Sequence, residues 1–110
     1  MQTDEDILKT IQQIIQKHFS NPKLKGALIA EELGVSRMTV HRLLKRTVGQ
    51  NTRNYILDIR IKYAQQQLIL TSKYVYQIAQ EVGYFDAQQF AKVFKKMTRM
   101  TPTEFRKSKK

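Results

Sequence analysis

"IAEELGVSRMTVHRLLKR", residues 29 to 46, and "IAQEVGYFDAQQFAKVFKK", residues 78 to 96, are two copies of one pattern. Ile29, Ala30, Glu32, Leu33 and Gly34 stand against Ile78, Ala79, Glu81, Val82 and Gly83. One residue is then inserted in the second copy, after which Val40, Arg42, Leu44 and Lys45 align with Phe90, Lys92, Phe94 and Lys95. Past the next turn Tyr55 aligns with Phe105. A repeat of about 50 residues marks a supersecondary unit used twice.

Each copy reads as a short helix, a glycine turn and a longer helix. Ala30 and Ala79 are small enough to let a second helix approach, and Gly34 and Gly83 fall where a helix ends in a left-handed residue. Ser36 and Asp86 are N-cap types, and Gln89, three residues after Asp86, makes a capping-box candidate. This is helix-turn-helix spacing. A hairpin used only for packing has the same apolar positions, so one copy alone leaves DNA binding and packing both open.

The remaining segments surround the repeat. Residues 4 to 19 place Ile7, Leu8, Ile11, Ile14, Ile15 and Phe19 at helical spacing behind Asp4, Glu5 and Asp6, whose charge suits a helix N-terminus, and so predict a supporting helix. "NTRNYILDIRIKYAQQQLIL", residues 51 to 70, lacks Gly and Pro and carries Tyr55, Ile56, Ile59, Tyr63 and Leu68 near a 3.6 period. Such a helix is about 30 Å long and can hold two small units at a fixed distance. "TPTE" opens a last helix, with Thr101 as cap, Pro102 at the first position and Glu104 closing the box. Phe105 is expected to seal the second unit, and "RKSKK" to fray into solvent. The expected fold is all-α with about seven helices, two helix-turn-helix subdomains joined by a long linker helix. The support helix and first helix-turn-helix occupy 1–50, the linker helix 51–70, and the second helix-turn-helix and closing helix 71–110.

Composition narrows the function. The 110 residues are 41% hydrophobic and contain no Cys, which excludes a disulfide framework, thiolate metal ligands and a cysteine nucleophile. No opening segment has the signal-peptide pattern and no run reaches the roughly 20 apolar residues of a membrane span, so a cytoplasmic location without membrane contact is expected. The net charge of +11 is concentrated in two blocks. Residues 35–62 hold seven basic and one acidic residue, and residues 85–110 eight and two, an excess of +6 each. Two such blocks predict two patches facing a polyanion. The two histidines, His18 and His41, lack companions at metal-ligand spacing. With no phosphate loop, paired carboxylates or nucleophile motif, no catalytic residue, metal or cofactor is expected, and the chain does not read as an enzyme.

The pattern G-x-S-x(3)-V/L-x-R-x(2)-K, then G-x(5)-Y-I and R-x(3)-A, is carried by Gly34, Ser36, Val40, Arg42, Lys45, Gly49, Tyr55, Ile56, Arg60 and Ala64. With "IAQEVGY", "QQFAKVFKK" and "MTPTEFRK" in the second half, it resembles the DNA-binding domain of the AraC/XylS family of bacterial transcription regulators, over roughly residues 5 to 107.

The resemblance implies sequence-specific binding of double-stranded DNA, with the longer helix of each hairpin in successive major grooves of an asymmetric site. Val40, Leu43 and Leu44 would face inward on the first such helix, and Phe90, Val93 and Phe94 on the second. Alignment to the family makes Met38, His41 and Arg42 the base-reading set of the first, matched by Ala87, Gln88 and Lys92 in the second. Arg42 suits guanine O6 and N7, Gln88 adenine, Lys92 guanine or a phosphate, and Met38 a thymine methyl. Arg37, Lys45, Arg46, Gln89, Lys95 and Lys96 are then expected on the DNA backbone. RNA polymerase and a separate sensing or dimerising domain are further implied partners. A standalone regulator and the C-terminal part of a larger one both remain open. A helical protein-interaction module, derived from a degenerate helix-turn-helix, is the alternative reading.

Some positions depart from the family. Arg99 stands where Gly is usual, which predicts a looser or differently closed turn. Gly26 takes a place normally apolar and Leu28 one normally polar, which predicts weaker packing of the first unit. Tyr74 occupies a usual cap position, and Gln67 replaces a usual Leu.

Overall fold

The computed structural model describes residues 2–109. Seven helices follow in order: α1 (Asp4–Lys17), α2 (Gly26–Leu33), α3 (Arg37–Val48), α4 (Thr52–Leu70), α5 (Val75–Glu81), α6 (Ala87–Thr98) and α7 (Pro102–Ser108). There is no strand among the described residues. The chain packs as two compact units. One comprises the residues up to Phe19 and Lys23–Asp58, the other Ser20–Pro22 and the chain from Ile59 onward, so the boundary falls inside α4.

In the first unit α1 begins at a capping box between Thr3 and Asp6. Thr3 Oγ1 accepts from the Asp6 N–H at 3.2 Å, and Asp6 Oδ2 accepts from the Thr3 N–H at 3.2 Å. Ile11, Ile14 and Ile15 of α1 are buried with Ile29 and Ala30 of α2, Val40, Leu43 and Leu44 of α3, and Tyr55 and Ile56 of α4. Full burial of an aliphatic side chain is worth about 1.5–3 kcal/mol, so this cluster is what stabilises the unit. Gln12 Nε2 donates to the Tyr55 hydroxyl at 3.0 Å. Leu24, in the turn before α2, is also buried. The weaker packing expected around Gly26 is not what the structure shows: a Cβ there would lie 3.3 Å from Thr52 Cγ2. The missing side chain leaves no gap, because the start of α2 closes directly onto Thr52.

The second unit has a different core. Phe90 and Phe94 of α6 are fully buried, with ring centroids 5.7 Å apart, and Phe94 meets Phe105 of α7 edge-on at 5.5 Å. Tyr84 adds a tilted contact to Phe90 at 5.7 Å. Ile78, Ala79 and Val82 come from α5 and its end, and Ile61, Ala64 and Leu68 from α4. Of the residues expected in the core, Ile59, Tyr63 and Val93 of this unit are only half-buried, as are Ile7, Leu8 and Phe19 of the first. For α4 the cause is Arg60, 7% exposed, which sits in the buried row that an apolar pattern assigns to its neighbours. Its Nη2 donates to the Asn21 carbonyl at 2.8 Å, and its guanidinium lies 6.0 Å from the Tyr84 ring centroid. Burial lowers its pKa from the usual arginine value, with Tyr84 acting in the opposite direction, and the side chain stays cationic. Val93 lies one position before Phe94, and the two aromatic rings take the inward volume.

The segment expected to fray does not. Arg106 of α7 donates from Nε to the Leu68 carbonyl at 2.9 Å and from Nη2 to the Thr71 carbonyl at 3.2 Å. It thereby satisfies carbonyls at the C-terminal end of α4, which the helix leaves without internal donors. Lys110 lies outside the described residues.

Both glycine turns close identically. Gly34 and Gly83 have φ of 72° and 90°, and the next N–H, of Val35 or Tyr84, reaches back to Ala30 O at 3.0 Å or Ala79 O at 2.9 Å. The ends of α3 and α6 share a left-handed residue, Gly49 with φ 72° and Arg99 with φ 69°. Their closures differ: the Gly49 N–H reaches the Leu44 carbonyl, five residues back, at 3.0 Å, and the Arg99 N–H the Lys95 carbonyl, four back, at 2.7 Å. The turn at Arg99 is therefore differently closed, as expected, but it is not loose. Arginine takes the left-handed geometry and carries its steric cost.

Candidate nucleic-acid interface

α3 and α6 are the second helices of the two helix-turn-helix units, and each is 12 residues long. Ser36 Oγ accepts from the Thr39 N–H at 3.1 Å to start α3. Asp86 Oδ1 accepts from the Gln88 N–H at 2.8 Å to start α6. The expected box between Asp86 and Gln89 is thus replaced by a single cap, which leaves the Gln89 amide outside the capping interaction.

The inward stripes fix which faces are presented. With Val40, Leu43 and Leu44 buried in α3, Arg37, Met38, Arg42, Lys45 and Arg46 are exposed and His41 is half-buried. In α6 Gln88, Gln89, Lys92, Lys95 and Lys96 are exposed and Ala87 is half-buried. Residues four apart on a helix share a face, so Met38 lines up with Arg42, and Gln88 with Lys92 and Lys96. Each helix thus carries a row that runs from an uncharged side chain near its start to cations near its end. Lys45, Arg46, Lys95 and Lys96 stand in last turns, where the helix dipole favours positive charge. That placement stabilises the helices even with nothing bound.

Arg46 is already engaged. Its Nε donates to Asp4 Oδ2 at 2.6 Å and its Nη2 to Asp4 Oδ1 at 3.0 Å. This hydrogen-bonded pair lowers the Asp4 pKa and raises that of Arg46. Lys95 acts on Glu104, whose pKa is lowered first by the Thr101 backbone N–H and hydroxyl and only weakly by that charge.

Sequence reasoning missed two features of these surfaces. The acidic run at 4–6 marks Asp4 only as a helix-start residue, although it reaches the C-terminal turn of α3. Phe85, directly before the cap of α6, is 85% exposed. Nothing in an apolar pattern tells an outward Phe from an inward one. Among the described residues no group of three His, Cys, Asp or Glu could hold a metal ion, and no helix is long and apolar enough to cross a membrane.

A family profile described as a helix-turn-helix domain matches residues 29–108. An AraC-type DNA-binding regulator from Chromobacterium violaceum superposes with a TM-score of 0.84 at 28% identity, covering 96% of this chain and 93% of that one. The chain belongs to the AraC-type helix-turn-helix family. A second profile, winged helix-turn-helix DNA-binding, matches residues 2–46. Regulatory protein SoxS of Salmonella typhimurium is 28% identical over 102 residues, which are 93% of this chain and 94% of SoxS. Histidine kinase P4 of Formosa agariphila is 30% identical over 102 residues, 93% of this chain but 7% of that protein. The AraC-type module therefore spans nearly all of one relative and a small part of another.

Proposed function

We infer that this chain is the sequence-specific, double-stranded DNA-binding module of a bacterial AraC-type transcription regulator. The reading is carried by α3 and α6, two capped helices with buried apolar stripes and exposed rows of cations, each the second helix of a helix-turn-helix. Met38, His41 and Arg42 on α3, and Ala87, Gln88 and Lys92 on α6, are the base-reading set. Arg37, Lys45, Arg46, Gln89, Lys95 and Lys96 hold phosphates. The two helices enter successive major grooves about 34 Å apart. The rows differ, so the site is asymmetric.

No catalytic step belongs to this module, and it works in the cytoplasm, where the DNA is. RNA polymerase is its partner in regulation. A sensing or dimerising domain accompanies it where it is part of a longer chain, as its small share of the histidine kinase relative supports.

A footprint on a duplex selected from a random pool tests this. One chain should protect two blocks centred about 10 base pairs apart. Affinity should fall with salt at a log-log slope of roughly −0.9 per phosphate neutralised. A single short block, or a slope shallower than about −2, would overturn it and leave one hairpin as a packing or protein-docking unit.

A further inference from the structure

Phe85 is the residue by which the second copy of the repeat exceeds the first. The glycine turns superimpose through Val35 and Tyr84, whose N–H groups close the same bond to Ala30 and Ala79. In the first copy the cap Ser36 follows at once, whereas in the second Phe85 intervenes before the cap Asp86. The residue before an N-cap ordinarily packs on the fourth residue of the helix, here Phe90. Tyr84 already holds that place, its ring 5.7 Å from that of Phe90 and under the Arg60 guanidinium at 6.0 Å. Phe85 is left 85% exposed, so the stabilisation that burying a Phe can contribute goes unused in the fold.

We propose that Phe85 is a specificity-determining residue that packs its ring on a thymine methyl in the major groove. The inference rests on α6 being a groove-entering helix. The N-terminal residues of such a helix meet base edges, and Phe85 adjoins that end, three positions before Gln88. Thymine alone among the bases offers an apolar group in the major groove, and an aromatic side chain is a suitable partner for it. The first hairpin, one residue shorter at this turn, has no counterpart of Phe85, so the thymine that Phe85 meets lies in the α6 block.

The test starts from a duplex selected with the parent chain, in which each thymine is replaced singly by deoxyuridine. One replacement in the α6 block should weaken the parent about fourfold, the worth of one buried methyl. Phe85→Ala should bind the thymine duplex about fourfold more weakly than the parent and no longer distinguish thymine from uracil there. Phe85→Leu should keep part of the distinction. Phe85→Ala should also melt within a few degrees of the parent, since its side chain is exposed, so a binding change is not an unfolding change. Gln88→Ala separates the two failures. If Gln88 discriminates a base but the uracil scan is flat, or the scan is the same in the parent and Phe85→Ala, the Phe85 proposal alone is overturned. If Gln88→Ala discriminates as the parent does, or no duplex is selected, the groove reading of α6 falls and Phe85 with it.

Discussion

Arg46 and Asp4 are 42 residues apart in sequence and joined by two hydrogen bonds, Nε to Oδ2 at 2.6 Å and Nη2 to Oδ1 at 3.0 Å. A guanidinium held in this fork is oriented, but it is also occupied by an acceptor that resembles a phosphate. Both side chains remain largely exposed, so solvent and salt weaken the pair and phosphate can compete with it. Asp4→Asn keeps the helix start and removes the competing charge. It should raise affinity for all duplexes together and steepen the salt slope by about one phosphate's worth. A change confined to one base position would show that Arg46 reads sequence instead.

Three carboxylates predict the acid limb of stability. Asp4 is held below its ordinary 3.8 by the hydrogen bond from Arg46, Glu32 below 4.5 by that from His18 with help from Lys17, and Glu104 below 4.5 by the Thr101 backbone and hydroxyl. A depressed carboxyl contributes stability that is fully present above its unfolded value and lost as pH falls through its folded value. The contribution of these groups to the melting temperature should therefore be level from neutral pH to about 5 and decline below about 4. Asp4→Asn with Glu104→Gln should flatten that decline, as differential scanning calorimetry across the range would reveal.

Phe94 touches Phe90 at 5.7 Å and Phe105 at 5.5 Å and is fully buried, so Phe94→Ala leaves a cavity lined by aromatic rings. The loss should be about 3–5 kcal/mol, a large part of the stability of a domain this size. Urea unfolding measures it. A melt within a few degrees of the parent would mean that α6 is rotated from the phase described, and the presented row with it.

Arg99→Gly should stabilise. The backbone there has φ 69°, which costs a side-chain-bearing residue about 1 kcal/mol relative to glycine. Gly49→Ala, at φ 72° in the matching turn, should lose a similar amount, although no atom lies within 4 Å of the added Cβ. Opposite shifts in thermal midpoint would show that backbone conformation, rather than packing, governs both ends.

Arg42→Ala should relax specificity in one footprint block by about 1–3 kcal/mol, and Gln88→Ala in the other. Selection of bound duplexes by each variant reads this directly. Equal loss at both blocks in the Arg42 variant would refute independent reading by α3 and α6.

The sequence determined the architecture because its signals are local. Gly34, Gly49 and Gly83 mark chain reversals, Ser36 and Thr101 mark helix starts, and the doubled apolar pattern places Val40, Leu44, Phe90 and Phe94 inside. Each depends on neighbours within a turn or two, which a linear reading can see. The tertiary structure decided what depends on distant partners. Arg60 is buried because Asn21 and Tyr84 come to it, and Arg106 is ordered because α4 ends beside it. Arg46 is held because Asp4 lies within reach, and Phe85 is outside because Tyr84 already fills the place over Phe90. No periodicity records these, since charge and hydrophobicity say what a side chain prefers and only the packed chain says which partner is there.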